Sequence, residues 1–354
     1  MLLGSLGLSS CIRLSLFTAD RRHRDVHDAA EFLQPLRRNS LEWWYLNGHL
    51  QDSSGREYAF HSALFRRYSF PYGYRWMLNT AFSDPAADTT YRDYEIFRNR
   101  ECVRQIRTYE SKEPQLIGNQ RHQLYIDPQH LKANYNTEMF RGSITAIPQM
   151  PLFRQAPGGM MRYMDGMQAG YLSWPYMKLN GSFLLNGEAV TMKGEGWFDR
   201  QWNALPLTRK RYRWDWLSIS SNGFRLMIFR TFDKRSGREE VQGTWLEADG
   251  RSSFLSNDSI LLHADEYWTS PETGLSYPMQ WQVVIPSRQL RACVDARIKQ
   301  GEMTLRALGR NFMTYWEGPC NVWGVQGERV LEGRAFLEMT NAEKTLHGRT
   351  DSTH

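Results

Sequence analysis

The chain has 354 residues, enough for two domains, and 41% of them are apolar, which is ordinary for a globular protein. Its net charge of +6 is a mild excess that does not by itself indicate nucleic-acid binding, so no nucleic-acid partner is expected. The 13 Trp, 17 Tyr and 17 Phe residues favour strands and aromatic cavities over a helical bundle, which predicts an all-β fold.

Residues 1–40 are interpreted as a signal and a polar tether. The stretch "MLLGSLGLSSC" is apolar and ends in Leu8-Ser9-Ser10-Cys11, which resembles the lipobox of bacterial lipoproteins. However, no basic residue precedes this short run. Two interpretations therefore stay open. An export signal with lipidation at Cys11 predicts a periplasmic or membrane-anchored lipoprotein with peripheral or lipid-anchored membrane association. An apolar stretch without targeting meaning predicts a cytoplasmic protein.

Residues 41–205 predict a first β domain. The text "EWWYLNGHL", "QDSSG" and "REYAFHSALFRR" reads as strand, turn and strand, and His61, Ala63 and Phe65 alternate with residues of the other face. Further along, "LNGSFLLNGEAVTMKGEGWF" contains two Asn-Gly pairs, each a signal for a hairpin turn.

Residues 206–345 predict a second β domain. Pro206 and the charge run in "NALPLTRKRYR" break the pattern, and strand text resumes at "WDWLSIS". Turn signals recur roughly every 8 to 12 residues, a spacing that is typical of β-sandwiches and β-barrels. "RQLRACVDARI" fits either a helix or a strand. Both halves open with a tryptophan-carboxylate strand followed by a Gly turn, which suggests a duplicated β unit.

Several kinds of chemistry lack their motif in this sequence. There is no G-x-S-x-G elbow, no phosphate-binding glycine loop and no C-x-x-C pair. The nine His residues are scattered, so neither a metal site nor a cofactor is expected.

Four carboxylates lie beside tryptophans, and each has two interpretations. A carboxylate can accept a hydrogen bond from a buried indole or pair with an arginine, which is a structural role. A carboxyl group desolvated among aromatic rings has instead a raised pKa and can donate a proton to a carbon–carbon double bond, while ring faces stabilise the cation. On the second interpretation the candidate catalytic residues are Glu42, Asp199, Asp215 and Glu317.

Seven motifs occur in an order that resembles the AttH-like, or carotenoid 1,2-hydratase-like (hydroxyneurosporene synthase-like), family. They extend over roughly residues 35 to 342 and read "EWWYLNGHL", "GEGWFDRQW", "WDWLSIS", "GFRLMIF", "WTSPETGLSYPMQWQVVIP", "YWEG" and "GRAFLEMT". The resemblance implies two tandem lipocalin-like β-barrel or β-sandwich domains packed side by side. It also implies a hydrophobic small-molecule ligand in a cavity at or near the contact between the domains.

The family motifs also place the aromatic candidates for ligand binding next to the carboxylates. The strand that here contains Phe229, Arg230 and Thr231 departs from the family, because the resemblance implies a tyrosine and an acidic residue there in carotenoid hydratases. A strict carotenoid hydratase is therefore disfavoured. The candidate ligand-binding residues are Trp43, Trp44, Tyr45, His61, Trp202, Trp214, Trp216, Tyr315 and Trp316.

Three functions follow as hypotheses from different classes. The first is a cofactor-free enzyme that hydrates an alkene or catalyses a pericyclic, Diels–Alder-type cyclisation of a polyene, isoprenoid or polyketide-type substrate. The second is a non-catalytic binder or carrier of lipophilic molecules. The third is an esterase or lactonase, for which His61-Ser62 is the only candidate pair, although neighbours on a strand point to opposite faces.

Overall fold

The computed structural model describes residues 33–36, 39–69, 71–102, 115–166, 168–203, 211–307 and 310–340. Cys11, most of the expected 1–40 segment, the expected boundary at 205/206 and the end of the second domain at 345 lie outside these residues and stay predictions. Within the described part of the chain, no helix is long and apolar enough to cross a membrane.

The first domain is one antiparallel sheet of twelve strands in the order β4-β3-β2-β1-β12-β11-β8-β7-β6-β5, with β9 and β10 paired to β11. Its strands are β1 (Leu41–Asp52), β2 (Glu57–Ser69), β3 (Gly73–Asp84), β4 (Thr89–Arg98), β5 (Gln115–Gly118), β6 (Gln123–Ile126), β7 (Leu131–Asn136), β8 (Phe140–Pro148), β9 (Phe153–Arg154), β10 (Met160–Arg162), β11 (Gln168–Leu185) and β12 (Glu188–Trp202).

The second domain is an antiparallel sheet of ten strands in the order β16-β15-β14-β13-β22-β21-β19-β18-β17, with β20 paired to β21. In both sheets a meander of four strands leads outward from the first strand, and the last strand of the domain pairs with the other side of that first strand. Its strands are β13 (Tyr212–Ser221), β14 (Phe224–Asp233), β15 (Glu239–Glu247), β16 (Ser252–Leu255), β17 (Leu261–Thr269), β18 (Ser276–Ile285), β19 (Leu290–Ala296), β20 (Glu302–Ala307), β21 (Arg310–Gln326) and β22 (Arg329–Thr340).

Helical structure among the described residues is confined to single 3-10 turns. They are Pro85–Ala87, Asn99–Glu101, Pro157–Gly159, Met164–Gly166, Asn257–Ser259 and Pro286–Arg288. The fold is therefore all-β, with two tandem lipocalin-like domains side by side, as the sequence predicted. The ambiguous "RQLRACVDARI" forms strand β19.

One of the two Asn-Gly pairs forms a turn and the other does not. Asn186 and Gly187 have φ of 50° and 87° and join β11 to β12. Asn180-Gly181, which also predicted a turn, lies inside β11, where Gly181 pairs with Ile144 on one side and Met192 on the other. Because β11 is hydrogen-bonded along both edges at this point, the extended backbone prevails over the local turn preference.

Each sheet encloses its own apolar core, and a third buried cluster joins the two sheets. Strand alternation divides the side chains, since Trp44 and Leu46 point into the first core while Leu217 and Leu337 point into the second. The opposite faces of the same strands pack against each other. We call this third cluster the domain contact; it includes Tyr45, Ala59, Tyr171, Trp197, Trp216, Met227, Phe229 and Phe336.

Candidate functional site at the domain contact

Strand alternation in β1 separates residues that are adjacent in the sequence. Trp43 and Tyr45 face the domain contact, whereas Trp44 lies in the core of the first domain and stacks on Trp76 with ring centroids 5.9 Å apart. Its indole Nε1 donates to the carbonyl of Leu33 at 2.6 Å. Trp44, a candidate ligand-binding residue, is therefore a core residue.

Glu42 lies on the same side of β1 as Trp44 and is fully buried between two arginines. Arg66 donates to one carboxylate oxygen and Arg200 to the other. The backbone N–H of Leu36 also donates to this carboxylate at 3.1 Å. Two arginines and a backbone N–H occupy this carboxylate, so these contacts support the structural interpretation of Glu42.

Asp199 lies at the domain contact, and none of the described arginines forms an ion pair with it. It is 2% exposed and accepts hydrogen bonds from the Tyr171 hydroxyl and the Trp197 indole, both at 2.6 Å, and from the Ser173 hydroxyl. Burial raises the pKa of Asp199 to about 7, while the three donors oppose this rise because they stabilise the carboxylate.

The network around Asp199 extends into the second domain through Trp216. The indole Nε1 of Trp216 donates to the Tyr171 hydroxyl at 2.8 Å, and Tyr171 in turn donates to Asp199. The Trp216 ring also packs edge-on against Tyr45, with centroids 5.4 Å apart and an interplanar angle of 81°. Trp216 thus links the two domains by a hydrogen bond and by ring packing.

Glu317, from β21 of the second domain, lies against β1 and β2 of the first domain. The Tyr45 hydroxyl donates a short hydrogen bond to Glu317, and Asn47 Nδ2 donates to the same hydroxyl at 2.8 Å. Burial and the nearby Glu338 raise the pKa of Glu317 well above its usual range. Both causes favour the protonated, uncharged form of Glu317.

His61 lies beside Glu317 but does not form an ion pair with it. Its Nε2 is 3.3 Å from a Glu317 oxygen, and burial lowers the pKa of His61 to about 3. The shifts of both groups favour the uncharged forms, which favours a contact between a neutral imidazole and a protonated acid over an ion pair. Tyr315 packs near this imidazole, with ring centroids 6.4 Å apart.

Glu338 is a third carboxylate of the domain contact, and the sequence analysis did not select it. It lies opposite Glu317 in the pairing of β21 with β22 and opposite Trp216 in the pairing of β13 with β22. Burial raises the pKa of Glu338 to about 7, and Trp214 Nε1 lies 3.3 Å from it as a donor. The sequence signal that could have identified Glu338 was its position in "GRAFLEMT", two residues after the contact residue Phe336.

Glu338 differs from the other two contact carboxylates because the residue as a whole is only partly buried. Three rings that pack against the domain contact, Trp43, Phe65 and Trp214, are also only partly buried. A partly buried acid therefore lies beside the partly buried Trp214 ring, and an acid next to an aromatic ring suits proton transfer to an apolar substrate.

Asp215 points away from the domain contact, because it alternates with Trp214 and Trp216 on β13. Arg230 donates to it at 3.2 Å, and burial raises its pKa. The strand that departs from the carotenoid hydratases alternates in the same way. Phe229 faces the domain contact, while Arg230 lies on the side of Asp215.

The remaining candidates lie in apolar clusters or on separate faces. Trp316 is fully buried in the second core and donates to the Lys299 carbonyl at 3.0 Å, and Trp202 packs with Leu172 at the edge of the first domain. Ser62 lines a small cavity inside the first barrel, on the opposite side of β2 from His61. Among the described residues, no group of three or more His, Cys, Asp and Glu side chains could hold a metal ion.

Beyond Asn47 and Trp197 the domain contact opens into a groove of about 640 Å³. The first domain contributes His49 and Glu195 to its wall, and the second contributes Ser218 and Arg225. Hydroxyl, imidazole and charged groups therefore line this end. The accessible rings Trp43 and Trp214 precede it on β1 and β13 and lie toward the other end of the contact.

Comparison with known proteins agrees with the architecture. The family model described as AttH-like matches residues 30–342, and no curated protein gives a significant match. An AttH from Nitrosomonas europaea is 22% identical, with 89% of this chain and 97% of that chain covered and a TM-score of 0.78. Kievitone hydratase from Nectria haematococca is 14% identical, with 89% and 92% covered and a TM-score of 0.69. CghA with Sch210972 is 12% identical, with 86% and 90% covered and a TM-score of 0.55.

Proposed function

The chain belongs to the AttH-like family, and from that premise we propose that it is a cofactor-free enzyme that adds water to an alkene of a hydrophobic, isoprenoid-type substrate. The observation that carries this proposal is the pair of facing carboxyl groups at the domain contact. Burial favours the neutral form of Glu317, and Glu338 has a pKa of about 7 and is a partly buried residue. A structural neighbour that is a hydratase supports the same reaction class.

Glu338 is the proposed acid and base of the reaction. Its carboxyl proton is transferred to the less substituted alkene carbon, where the π electrons form the new C–H bond. The cation at the other carbon lies against the faces of Trp43 and Trp214 and is stabilised by them. A water oxygen then bonds to that carbon and loses a proton to the Glu338 carboxylate, which restores the starting acid.

The other contact carboxylates are proposed positioning residues. Glu317 accepts from Tyr45, and its uncharged form is favoured when Glu338 ionises, since two facing carboxylates do not both ionise readily. Asp199 has its acceptors occupied by Tyr171, Ser173 and Trp197, so it holds those groups in place and has no free contact with a substrate.

Cyclisation is a second candidate, supported by a different observation. The partly buried rings Trp43, Phe65 and Trp214 all pack against the domain contact, where apolar surface of this kind would hold a polyene chain in a reactive fold, and a pericyclic reaction needs no proton donor. This candidate predicts an isomeric product whose formation does not depend on Glu338. Hydration predicts a product heavier by one water molecule.

The test is incubation of the full chain with hydrophobic compounds that carry a trisubstituted isoprenoid double bond, in water enriched in heavy oxygen, followed by mass spectrometry. We expect labelled alcohol, a kcat/KM that falls above pH ~7 as the acid ionises, and a loss of about 10²- to 10⁴-fold in Glu338→Gln. Glu328→Gln, in the exposed turn between β21 and β22, is the matched control. Full activity of Glu338→Gln would refute the assignment of the acid, and ligands recovered unchanged would indicate a carrier.

A further inference from the structure

A separate cavity of about 260 Å³ opens at one end of the second barrel. Arg213 and Asp215 line it from β13, and Arg230 lines it from β14. Because these side chains alternate with Trp214 and Trp216, the cavity lies on the opposite side of the sheet from the domain contact. It therefore belongs to neither the proposed active site nor its groove.

The two arginines of this cavity have unused hydrogen-bonding capacity. Arg230 donates to Asp215 at 3.2 Å and to Glu239 at 2.5 Å. Arg213 has no carboxylate partner within ion-pair distance among the described residues, and the Nε–H groups of both arginines are buried without an acceptor in that part of the chain. A guanidinium that lines a cavity without a carboxylate partner, as that of Arg213 does among the described residues, favours an oxyanion that accepts hydrogen bonds from it.

The rest of the wall is mixed, because Leu262, Ala264 and Met339 contribute apolar groups while His263, Tyr267 and Ser276 contribute polar ones. Tyr277 also lines the cavity beside the arginines. The Arg230 guanidinium also packs over the Trp281 ring, 5.3 Å from the ring centroid, and this contact restrains its position. The volume corresponds to roughly eight water molecules at about 30 Å³ each, which leaves room for a carboxylate together with a small organic group.

We propose that this cavity binds a small organic acid, with its carboxylate on Arg213 and Arg230 and its organic part against Leu262 and Tyr277. Arginine suits this role because its planar fork donates two parallel hydrogen bonds to a carboxylate. Contact with the apolar side chains of the wall distinguishes such an acid from an inorganic anion, which would use the arginines alone.

The experiment is isothermal titration calorimetry of the full chain with benzoate and hexanoate. Benzamide is the neutral isostere, and inorganic phosphate is the anion without an organic part. We expect both acids to bind in the millimolar range or tighter, benzamide not to bind, and phosphate to bind at least about tenfold more weakly than benzoate. Arg213→Gln should weaken benzoate about tenfold or more, and Arg213→Lys, which keeps the charge and loses the fork, should give an intermediate affinity.

The matched control is Arg291→Gln, which removes the same charge from an exposed position on β19 of the same domain and should leave the affinity unchanged. Benzoate binding should also persist in Glu338→Gln, which separates this site from the proposed active site. Absence of binding by either acid, or binding that Arg213→Gln does not affect, would overturn the proposal. Phosphate binding as tight as that of benzoate would overturn the assignment to an organic acid.

Discussion

At the scale of single residues, burial decides the charge of the carboxyl groups at the domain contact. Asp199, Glu317 and Glu338 all have raised pKa values, and desolvation is the largest cause for each. A carboxyl group that is harder to ionise in the folded than in the unfolded chain makes stability depend on pH.

For Asp199 the direction in which stability changes with pH follows from its pKa in the unfolded and in the folded chain. The unfolded carboxyl ionises near its ordinary value of 3.8, and the folded one at about 7. Between these values the folded state holds more protons, so the free energy of unfolding falls as pH rises through this window and levels off above it. In Asp199→Asn the slope of unfolding free energy against pH should be smaller in this window, as measured by urea denaturation at several pH values. An unchanged slope would contradict the assignment.

Glu42 is a different case, because this buried carboxylate is paired with two arginines. In Glu42→Gln the guanidinium groups of Arg66 and Arg200 would lose their shared anion, and we expect a loss of about 3–5 kcal/mol in unfolding free energy. The exposed Glu188→Gln, in the same domain, should change it by less than about 0.5 kcal/mol. Equal stabilities of the two variants would show that the ion pairs contribute nothing.

These residues show how much of the candidate site could be predicted from the sequence. The sequence indicated four carboxylates next to tryptophans, with a structural and a chemical interpretation for each, and the surroundings now separate them. The period of two along a strand already places Glu42 with Trp44, and Asp215 opposite Trp214 and Trp216. Glu338 could not be found in this way, because it reaches Trp214 and Glu317 only through strand pairing between distant parts of the chain.

At the scale of elements, alternation and turn chemistry predicted most of the strands. They were less informative where a strand is paired on both sides, as at Asn180-Gly181 in β11. There the hydrogen bonds of two neighbouring strands, which are not local in sequence, determine the backbone. The order of the strands in each sheet depends on the same long-range pairing and could be predicted only through the family resemblance.

Close packing across β11 and β12 leads to a prediction at this scale. A Cβ added at Gly170 would collide with the Trp202 indole, which is rigid and is held in its own cluster. We expect Gly170→Ala to lower the melting temperature, with a cost of about 1–3 kcal/mol from overpacking. Gly223→Ala is the control, since no atom lies within 4 Å of its added Cβ. A melting temperature equal to that of the control would mean that the Trp202 ring moves aside freely.

At the scale of the whole molecule, the domain contact couples the two sheets. Trp216 contributes a hydrogen bond to Tyr171 and ring contacts to Tyr45 and Trp197. In Trp216→Ala we expect the calorimetric unfolding of the chain to change from a single transition to two, as the domains lose their coupling. The control is Trp323→Ala, at a position 53% exposed in the same domain, which should keep a single transition. One shared transition in Trp216→Ala would show that the coupling lies elsewhere.

The division of the site between two domains has a consequence for how such an enzyme would lose activity. Tyr45 and His61 belong to the first domain, and Glu317 and Glu338 belong to the second. Neither domain alone therefore shields these two acids from water to the extent that the domain contact does. A gap wide enough to admit a film of solvent would restore ordinary acidity to both glutamates while every strand stayed hydrogen-bonded. Mild heat or a low concentration of urea would then abolish the activity of such an enzyme well before its two domains unfold.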